Sequence, residues 1–374
     1  MNYDNFLLAL NQIREVLIKL FDPSISNSEI RSAISVIKSK FWASGSGIKN
    51  VSKFEEAFKQ YVKSKSCVAL SNGTAALHLA LSLFDIKNKQ VLIPSLTFVS
   101  TAHAVKYNEG IPVFVDIDPK TMCIDIDDVK KKISRRVAAI VPVHFAGMPC
   151  NLREIKSVAD SYDIPIIEDA AHAVGSSYNK RKIGSHSEAV CFSFHPVKNL
   201  AMPTGGAICL NGQNHSKNKT ILNASRWCGI GDRQGPDYDI LRLGWNYYMN
   251  EISAAIGIVQ LKKLERLNRF RQKNSKRYFN ELDLEYKMPY SDNCSYHFYW
   301  IRVKRRKQFM KKMMERGIET GIHYHPVHMT SYYKIGRSLH ITEKIGKEIV
   351  SIPTHPDLSD ENVDKIIRVI NQIT

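Results

Sequence analysis

From about residue 66, short apolar segments alternate with amphipathic segments along the chain. The apolar segments read VLIPS (91–95), PVFVDI (112–117), AAIVPVH (138–144), PIIED (165–169), AVCFSF (189–194) and GAICL (206–210). Between them lie stretches with helical spacing or many small residues, such as TAALHLALSLF and NLREIKSVADSY. Buried strands that alternate with helices are typical of a mostly parallel sheet with helices on both faces. The pattern therefore predicts an α/β fold, in which ligands bind beyond the carboxyl ends of the strands.

Both ends of the chain depart from this pattern. Near residue 250, NEISAAIGIVQLKKLERLNRFRQKNSKRYFNEL predicts one long helix, and a strand (SYHFYWIRV) and two helices follow it. The first residues, MNYDNFLLALNQIREVLIKLF, carry an apolar stripe at helical spacing without the basic start of a signal peptide. We therefore expect a helical extension over 1–22, a large domain over 23–255 and a small α+β domain over 256–374.

Composition narrows the class of protein. The chain has 374 residues, of which 44% are hydrophobic and 24% charged, as expected of a soluble globular protein. No apolar run approaches the roughly 20 residues of a membrane span. Seven scattered cysteines, never two residues apart, favour neither a disulfide framework nor a zinc knuckle. They are typical of a reducing cytoplasm, where we expect the protein to act.

The net charge of +17 allows a polyanionic partner. The basic residues are dispersed, however, and clusters such as Lys130-Lys131-Lys132 lie beside helical patterns, where they are usually solvated. No nucleic-acid-binding motif accompanies them. Attraction of an anionic small substrate is therefore favoured over binding of nucleic acid.

Four segments that follow predicted strands carry groups with possible chemistry. Ser71–Thr74 opens a helix, whose first N–H groups can hold an anion or can simply be capped. Asp169 is the last residue of PIIED, and it could pair with a cation or cap the helix that follows. Lys198 follows AVCFSF, where it could have a chemical role or could be a surface lysine, as most lysines are. Phe98 follows another predicted strand and could instead be a core residue.

Together these groups match the needs of pyridoxal 5′-phosphate. This cofactor requires a lysine amine to form a Schiff base and to move a proton. It also requires a carboxylate at its pyridine nitrogen, donors for its phosphate and an apolar surface against its ring. The combination predicts a site for this cofactor at the strand ends.

Seven motifs, in order along the chain, resemble those of the DegT/DnrJ/EryC1/StrS family of sugar aminotransferases. They are SNGTAALHLAL, PSLTFVSTA, PVFVDIDPKTMCID, IEDAAHAVGS, FSFHPVKNL, NYYMNEISAAIGIVQLKKL and HYHPVH. The resemblance runs from about Ser28 to the C-terminus. It implies fold type I, the aspartate-aminotransferase-like fold, with a mostly parallel sheet of seven strands. It also implies a homodimer with active sites at the subunit interface.

The resemblance implies a role for individual residues. Lys198 matches the lysine that bonds to pyridoxal phosphate, Asp169 the carboxylate at the pyridine nitrogen, and His172 a position near the ring. Phe98 matches the aromatic residue that stacks on the ring. The residues that contact the phosphate in the family correspond to Gly73, Thr74 and Ser193 in this chain. Asn246 matches an asparagine that reaches the phosphate from the second subunit.

The substrate pocket is implied to include part of IHYHPVH. The matching residues are His323, Tyr324 and His328, which would line the nucleotide-sugar pocket. Three histidines so close together could indicate a metal site. Pro326 interrupts regular structure between them and no carboxylate is nearby, so we predict no metal.

The resemblance therefore implies an aminotransferase that converts a nucleotide-linked keto sugar to an amino sugar, with glutamate as the expected donor. A related branch dehydrates keto sugars, but there a histidine replaces the lysine, whereas this chain has Lys198. A non-catalytic regulatory protein of the same fold is the second alternative, and it predicts loss of Lys198 or Asp169. The chain departs from the family at Thr204, where an acidic residue is usual, and at Tyr248, where arginine is usual.

Overall fold

A computed structural model describes residues 17–234, 236–334, 336 and 338–374. The helices are α1 (Asn27–Ser39), α2 (Asn50–Val62), α3 (Gly73–Leu81), α4 (Ser100–Tyr107), α5 (Ile126–Lys132), α6 (Leu152–Tyr162), α7 (His215–Ser225), α8 (Glu251–Glu281), α9 (Arg306–Glu315), α10 (His340–Glu348) and α11 (Asp360–Ile373). In this described part of the chain, none of the helices combines the length and the apolar character that crossing a bilayer requires.

Seven strands build the main sheet. They are β1 (Ser66–Leu70), β2 (Gln90–Pro94), β3 (Ile111–Val115), β4 (Val137–Ile140), β5 (Ile167–Asp169), β8 (Ala189–Ser193) and β9 (Gly206–Leu210). Between β5 and β8 lie the two short strands of a hairpin, β6 (Ser177–Tyr178) and β7 (Arg181–Lys182). The order across the sheet is β3-β2-β4 and then β5-β8-β9-β1, and the two parts are joined by parallel bridges Ile140↔Ile166 and Val143↔Asp169.

The sheet is mostly parallel, as the sequence predicted. Only β9 runs antiparallel to both of its neighbours, β8 and β1. Most residues of these strands are buried, which explains their continuous apolar runs. The carboxyl ends of β5 and β8 therefore lie side by side, and they bring the segments after Asp169 and Ser193 together.

Two asparagines set the starts of helices that border the site. Asn72 Oδ1 accepts a hydrogen bond of 2.8 Å from the Ala75 N–H at the start of α3. Asn250 Oδ1 accepts one of 2.8 Å from the Ser253 N–H at the start of α8. A cap of this kind satisfies a donor that the helix leaves unpaired. The two asparagines thus explain why α3 and α8 begin where they do.

The C-terminal part contains a second, small sheet. Its strands, β12 (Tyr299–Arg302) and β13 (Ile349–Ile352), pair antiparallel, and α9, α10 and α11 belong to the same part of the chain. A separate hairpin, β10 (Ile230–Gln234) and β11 (Asp237–Ile240), precedes α8. The expected domain boundary at 255/256 falls inside α8, so a continuous helix joins the two parts. The division into domains stays a prediction.

The long helix α8 holds loops from both parts. Asn199 Nδ2 donates to Asn268 Oδ1 over 2.9 Å, and Asn268 Nδ2 in turn donates to the Val174 carbonyl over 3.0 Å. One helical turn further, Arg271 Nη1 donates to the His297 carbonyl over 3.2 Å. The hydroxyl of Tyr278 donates to the Pro353 carbonyl over 2.8 Å. The helix therefore sets the spacing between the loop that carries Lys198 and the C-terminal segments.

The expected N-terminal helix falls mainly on residues 1–16, outside the described residues. Residues 17–22 are described, and there the expectation of a helix is wrong. Ile18 forms a parallel bridge to Ile318, its N–H donates to the Gly317 carbonyl, and its carbonyl accepts from the Glu319 N–H. Leu20 is also buried. In residues 17–22 the backbone pairs with the C-terminal part of the chain, and these hydrogen bonds take the place of those within a helix.

Candidate active site

A cavity of about 310 Å³ lies beyond the carboxyl ends of β5 and β8. All of the predicted site residues except Asn246 and His328 line it, namely Gly73, Thr74, Phe98, Asp169, His172, Ser193, Lys198, His323 and Tyr324. These residues come from five separate segments of the chain. The fold therefore brings the predicted groups of one chain to one place.

Lys198 lies in a compact loop between β8 and β9. Its N–H donates to the His195 carbonyl, and the N–H of Met202 returns to the Phe194 carbonyl, which closes the loop. The amine lies 3.4 Å from His297 Nε2. Burial lowers the pKa of Lys198 from 10.5 to about 8, although the negative charge of Asp169 opposes this shift. A substantial fraction of the amine is therefore unprotonated near pH 8.

Asp169 is the last residue of β5 and is buried. Its Oδ2 accepts a hydrogen bond of 2.8 Å from the Thr101 hydroxyl, and its Oδ1 accepts one of 3.1 Å from the Ala171 N–H. Burial raises the pKa of this carboxyl, whereas the two donors and the charge of Lys198 act in the opposite direction. The carboxylate is thus fixed in position and suited to a cationic N–H at the cavity.

His172 is a neutral ring with a defined tautomer. Its Nδ1 accepts from the Ala146 N–H over 3.3 Å, so the ring proton lies on Nε2, which donates to the Tyr324 hydroxyl over 2.9 Å. Burial, with the charge of Lys198 second, lowers the pKa of His172 well below its ordinary value. Burial also raises the pKa of Tyr324. Both side chains therefore stay uncharged and orient each other across the cavity.

Small residues open one end of the cavity to backbone donors. A Cβ on Gly73 would lie 2.7 Å from the Ser193 Cβ, and one on Gly206 would lie 2.3 Å from the Asn72 carbonyl oxygen. Only glycine allows the start of α3 to approach the end of β8 and the start of β9 so closely. The Thr74 hydroxyl lies 2.6 Å from the Ser100 hydroxyl at the same end. Hydroxyls and a helix N-terminus together suit a phosphate group.

Thr204 takes part in fixing this end. Its hydroxyl donates to the Ser71 carbonyl, directly before the turn that starts α3. The departure from the family pattern at this position therefore does not leave the turn unsupported. At the other departure, Tyr248 forms an antiparallel bridge to Leu70 at the end of β1.

The structure adds two residues that sequence reasoning missed. Thr101 holds Asp169, and His297 lies beside Lys198. Thr101 lies in the motif PSLTFVSTA and His297 in the predicted strand SYHFYWIRV, but neither residue was given a role. A hint existed for Thr101, because a buried carboxylate at a strand end requires donors. Nothing in the sequence shows that the segment before β12 returns to Lys198.

His297 and His323 complete a set of neutral imidazoles at the cavity. Burial lowers the pKa of His297 well below its ordinary value and that of His323 to about 3, and the charge of Lys198 contributes to both shifts. His323 Nδ1 lies 2.9 Å from the Ser351 hydroxyl, and its ring stacks on Phe298 with 4.5 Å between centroids. Lys198 is therefore surrounded by groups that do not compete for positive charge.

Two predicted residues lie elsewhere. His328 is 3% exposed, with its Nδ1 2.6 Å from the Ser95 hydroxyl and its Nε2 3.3 Å from Glu343 Oε1. Its side chain packs the C-terminal segment against the end of β2 and does not line this cavity, and its contact with substrate stays a prediction. Asn246 is exposed and also does not line the cavity of its own chain. Its role in a second subunit stays a prediction.

The cavity fits pyridoxal phosphate in four respects. It offers an amine with a lowered pKa, a buried carboxylate for a protonated ring nitrogen, and a glycine-lined helix start beside hydroxyls. Phe98, which is 55% exposed, lines the cavity and offers an apolar ring face for the cofactor ring. The donor set therefore matches each part of that molecule.

Comparisons with known proteins agree with this geometry. MJ1066 of Methanocaldococcus jannaschii, an uncharacterized protein, is 31% identical, over 96% of this chain and 98% of its own length. The aminotransferase PseC of Helicobacter pylori, involved in pseudoaminic acid biosynthesis, superimposes with a TM-score of 0.89 at 25% identity, over 95% of this chain and 98% of PseC.

Two further solved structures share the fold. The sugar aminotransferase CalS13 of Micromonospora echinospora has a TM-score of 0.87 at 27% identity, over 95% of this chain and 99% of CalS13. Spr1654 of Streptococcus pneumoniae, solved in a PLP-form, has a TM-score of 0.89 at 24% identity, over 95% of this chain and 98% of that chain. A family model matches residues 23–371. The chain belongs to the DegT/DnrJ/EryC1/StrS aminotransferase family.

Proposed function

We propose that this enzyme uses pyridoxal phosphate to convert the keto group of a nucleotide-linked sugar into an amino group, with glutamate as the amino donor. The observation that carries the proposal is the placement of Lys198 and Asp169 on one cavity, with the pKa of the lysine lowered to about 8. Family membership supports the amino transfer. The presence of the lysine disfavours the dehydratase alternative.

Each residue at the cavity has its own role in the proposed reaction. When bound, the cofactor supplies an aldehyde that accepts the amino group and a ring that stabilises negative charge on the reacting carbon. Lys198 would hold the cofactor and would move a proton during the reaction, for which a pKa near the working pH is favourable. Asp169 would keep the ring nitrogen protonated, because a charge-assisted hydrogen bond favours the cationic form. Gly73, Thr74 and Ser193 bind the phosphate.

The sugar end of the substrate is assigned to His323 and Tyr324. Both line the cavity, and neutral imidazole and phenol groups suit sugar hydroxyls and a carbonyl oxygen. The net charge of +17 favours the approach of a substrate that carries a diphosphate. The description of CalS13 as a sugar aminotransferase supports a sugar as the acceptor.

The active form is assigned to a cytoplasmic homodimer with shared sites. Asn246 is exposed at the surface of its own chain, in the segment that ends beside β1. An exposed asparagine is free to reach the phosphate in the second subunit. The scattered cysteines, none of which forms a disulfide, suit a reducing compartment.

The test is a two-stage assay with the purified, cofactor-loaded chain. Stage one incubates the enzyme with single amino acids and measures the 2-oxo acid released, and glutamate should be the most active. Stage two adds nucleotide-linked keto sugars and identifies products by mass, where a gain of an amino group is expected. Loss of water without gain of nitrogen would support a dehydratase. No reaction with any amino acid would overturn the proposal.

A further inference from the structure

The segment before the family match reaches the active site through one aromatic ring. Phe21 stacks on His297 with 5.1 Å between ring centroids and 18° between ring planes. The same ring meets the edge of His323, with centroids 5.6 Å apart at 88°. The family model begins at residue 23. Two histidines beside the predicted cofactor lysine are thus contacted from a segment outside the match.

This segment is firmly attached. Ile18 pairs with the backbone on both sides of Ile318, over 2.8 Å and 2.9 Å. The Leu20 N–H donates to Glu319 Oε2 over 2.8 Å, and the Lys19 carbonyl lies 3.1 Å from His355 Nε2. Because the three residues directly before Phe21 are held by these contacts, the fold defines the position of the Phe21 ring. We use the term strap for residues 17–22.

His297 requires such support. Its Nε2 lies 3.4 Å from Lys198 Nζ, whereas its Nδ1 is buried and has no hydrogen-bond partner among the described residues. Apart from the contact with Lys198, ring packing orients the imidazole, against Phe21, against Phe298 and against His172 with 4.7 Å between centroids. The charged or titratable groups that face His297 are Lys198, His172, Arg271 and His323.

We infer that Phe21 is a positioning residue for Lys198: its ring fixes His297 against the amine and keeps water from that side of the cavity. The inference rests on the proposed function, because it takes Lys198 to be the lysine that holds the cofactor. A lysine amine that is shielded from water gives up its proton more readily. The strap therefore helps to supply the unprotonated amine that amino transfer requires.

The experiment measures the proton equilibrium of Lys198 without using activity. The full-length, cofactor-free protein is labelled with an amine-reactive reagent over a range of pH, and modification at Lys198 is quantified by mass spectrometry. The midpoint for the unaltered chain should lie near pH 8. In Phe21→Ala it should rise by roughly one unit, a tenfold change in proton affinity.

Two controls separate positioning from folding. Phe21→Tyr keeps the ring and should keep the midpoint. Lys19→Ala removes only the surface ion pair with Asp22 in the same strap and should also leave the midpoint unchanged. If Phe21→Ala fails to fold, Phe21→Leu, which retains apolar volume without the flat ring, should show a smaller rise.

An unchanged midpoint in a folded Phe21→Ala or Phe21→Leu variant would overturn the inference, as would an equal rise in Lys19→Ala. Failure of the proposed function is a distinct result. In that case the unaltered protein would not bind pyridoxal phosphate, while the labelling midpoints of Lys198 could still be compared between variants.

Discussion

The hydroxyl of Thr101, at the start of α4, donates a hydrogen bond of 2.8 Å to Oδ2 of Asp169, at the end of β5. Thr101 itself is completely buried. This bond favours the ionised carboxylate in a site where burial favours the protonated one. The balance between these effects decides whether Asp169 can pair with a protonated ring nitrogen at neutral pH.

Replacing Thr101 with valine should weaken amino transfer about tenfold near pH 7, because a hydrogen bond to a charged group is worth about 1.5–3 kcal/mol. Its loss raises the pKa of Asp169 further. The acidic limb of the pH–rate profile for the reaction with the amino donor should therefore shift to higher pH. Thr101→Ser, which retains the hydroxyl, is the matched control. A Thr101→Val profile that coincides with that of the unaltered enzyme would contradict the role of this bond.

Replacing Lys198 with methionine should stabilise the cofactor-free protein at pH 7. Burial lowers the pKa of the amine from 10.5 to about 8, so between these values the unfolded chain binds more protons than the folded one. Stability therefore rises with pH across that window, and the cost of burying the charge is fully present below pH 8. We expect a gain of about 2 kcal/mol at pH 7, after allowing for the partial exposure of the lysine residue.

Denaturant unfolding at pH 7 and at pH 10 checks this expectation. The gain in Lys198→Met should shrink at the higher pH, where the native amine is already neutral. The exposed Lys217, changed to methionine, serves as the control and should show little gain at either pH. An equal gain at both pH values would argue that packing, and not charge burial, explains the effect.

Much of the fold follows from the sequence because it depends on local periodicity. The buried strands of a parallel sheet are short apolar runs, and the residues after them must meet at one edge. For that reason Asp169 and Lys198 could be placed together in advance. His297 could not, because its proximity to Lys198 depends on α8, which positions a distant segment through Arg271. The strap could not be predicted either, since its stripe of apolar residues fits a helix as well as an extended segment.

Shared active sites predict a specific pattern in mixed dimers. Lys198→Ala and Asn246→Ala chains, each inactive or weak alone, should form a heterodimer with one intact site when Asn246 serves the second subunit. That site combines Lys198 of one chain with Asn246 of the other. Activity of the purified heterodimer should recover to about half of the unaltered dimer. If Asn246 serves its own chain, both sites stay impaired and no recovery occurs.

His328 should prove important for stability and not for substrate binding. It is buried beside Ser95 and Glu343, so His328→Ala leaves polar groups unpaired and should cost about 2 kcal/mol in the free energy of unfolding. The KM for the keto sugar should remain unchanged. His323→Ala, which alters the cavity lining, is the comparison and should raise that KM. A raised KM in His328→Ala would support the sequence-based assignment.

The hydrogen bonds along α8 also limit how this protein can evolve. Asn268, Arg271 and Tyr278 reach three different segments from one rigid rod. A single residue inserted between Asn268 and Tyr278 would rotate every later side chain by about 100° around the axis. Surface loops tolerate insertions and deletions among homologues. The part of α8 from Asn268 to Tyr278 should not, because a change in its length would displace the segments that surround Lys198.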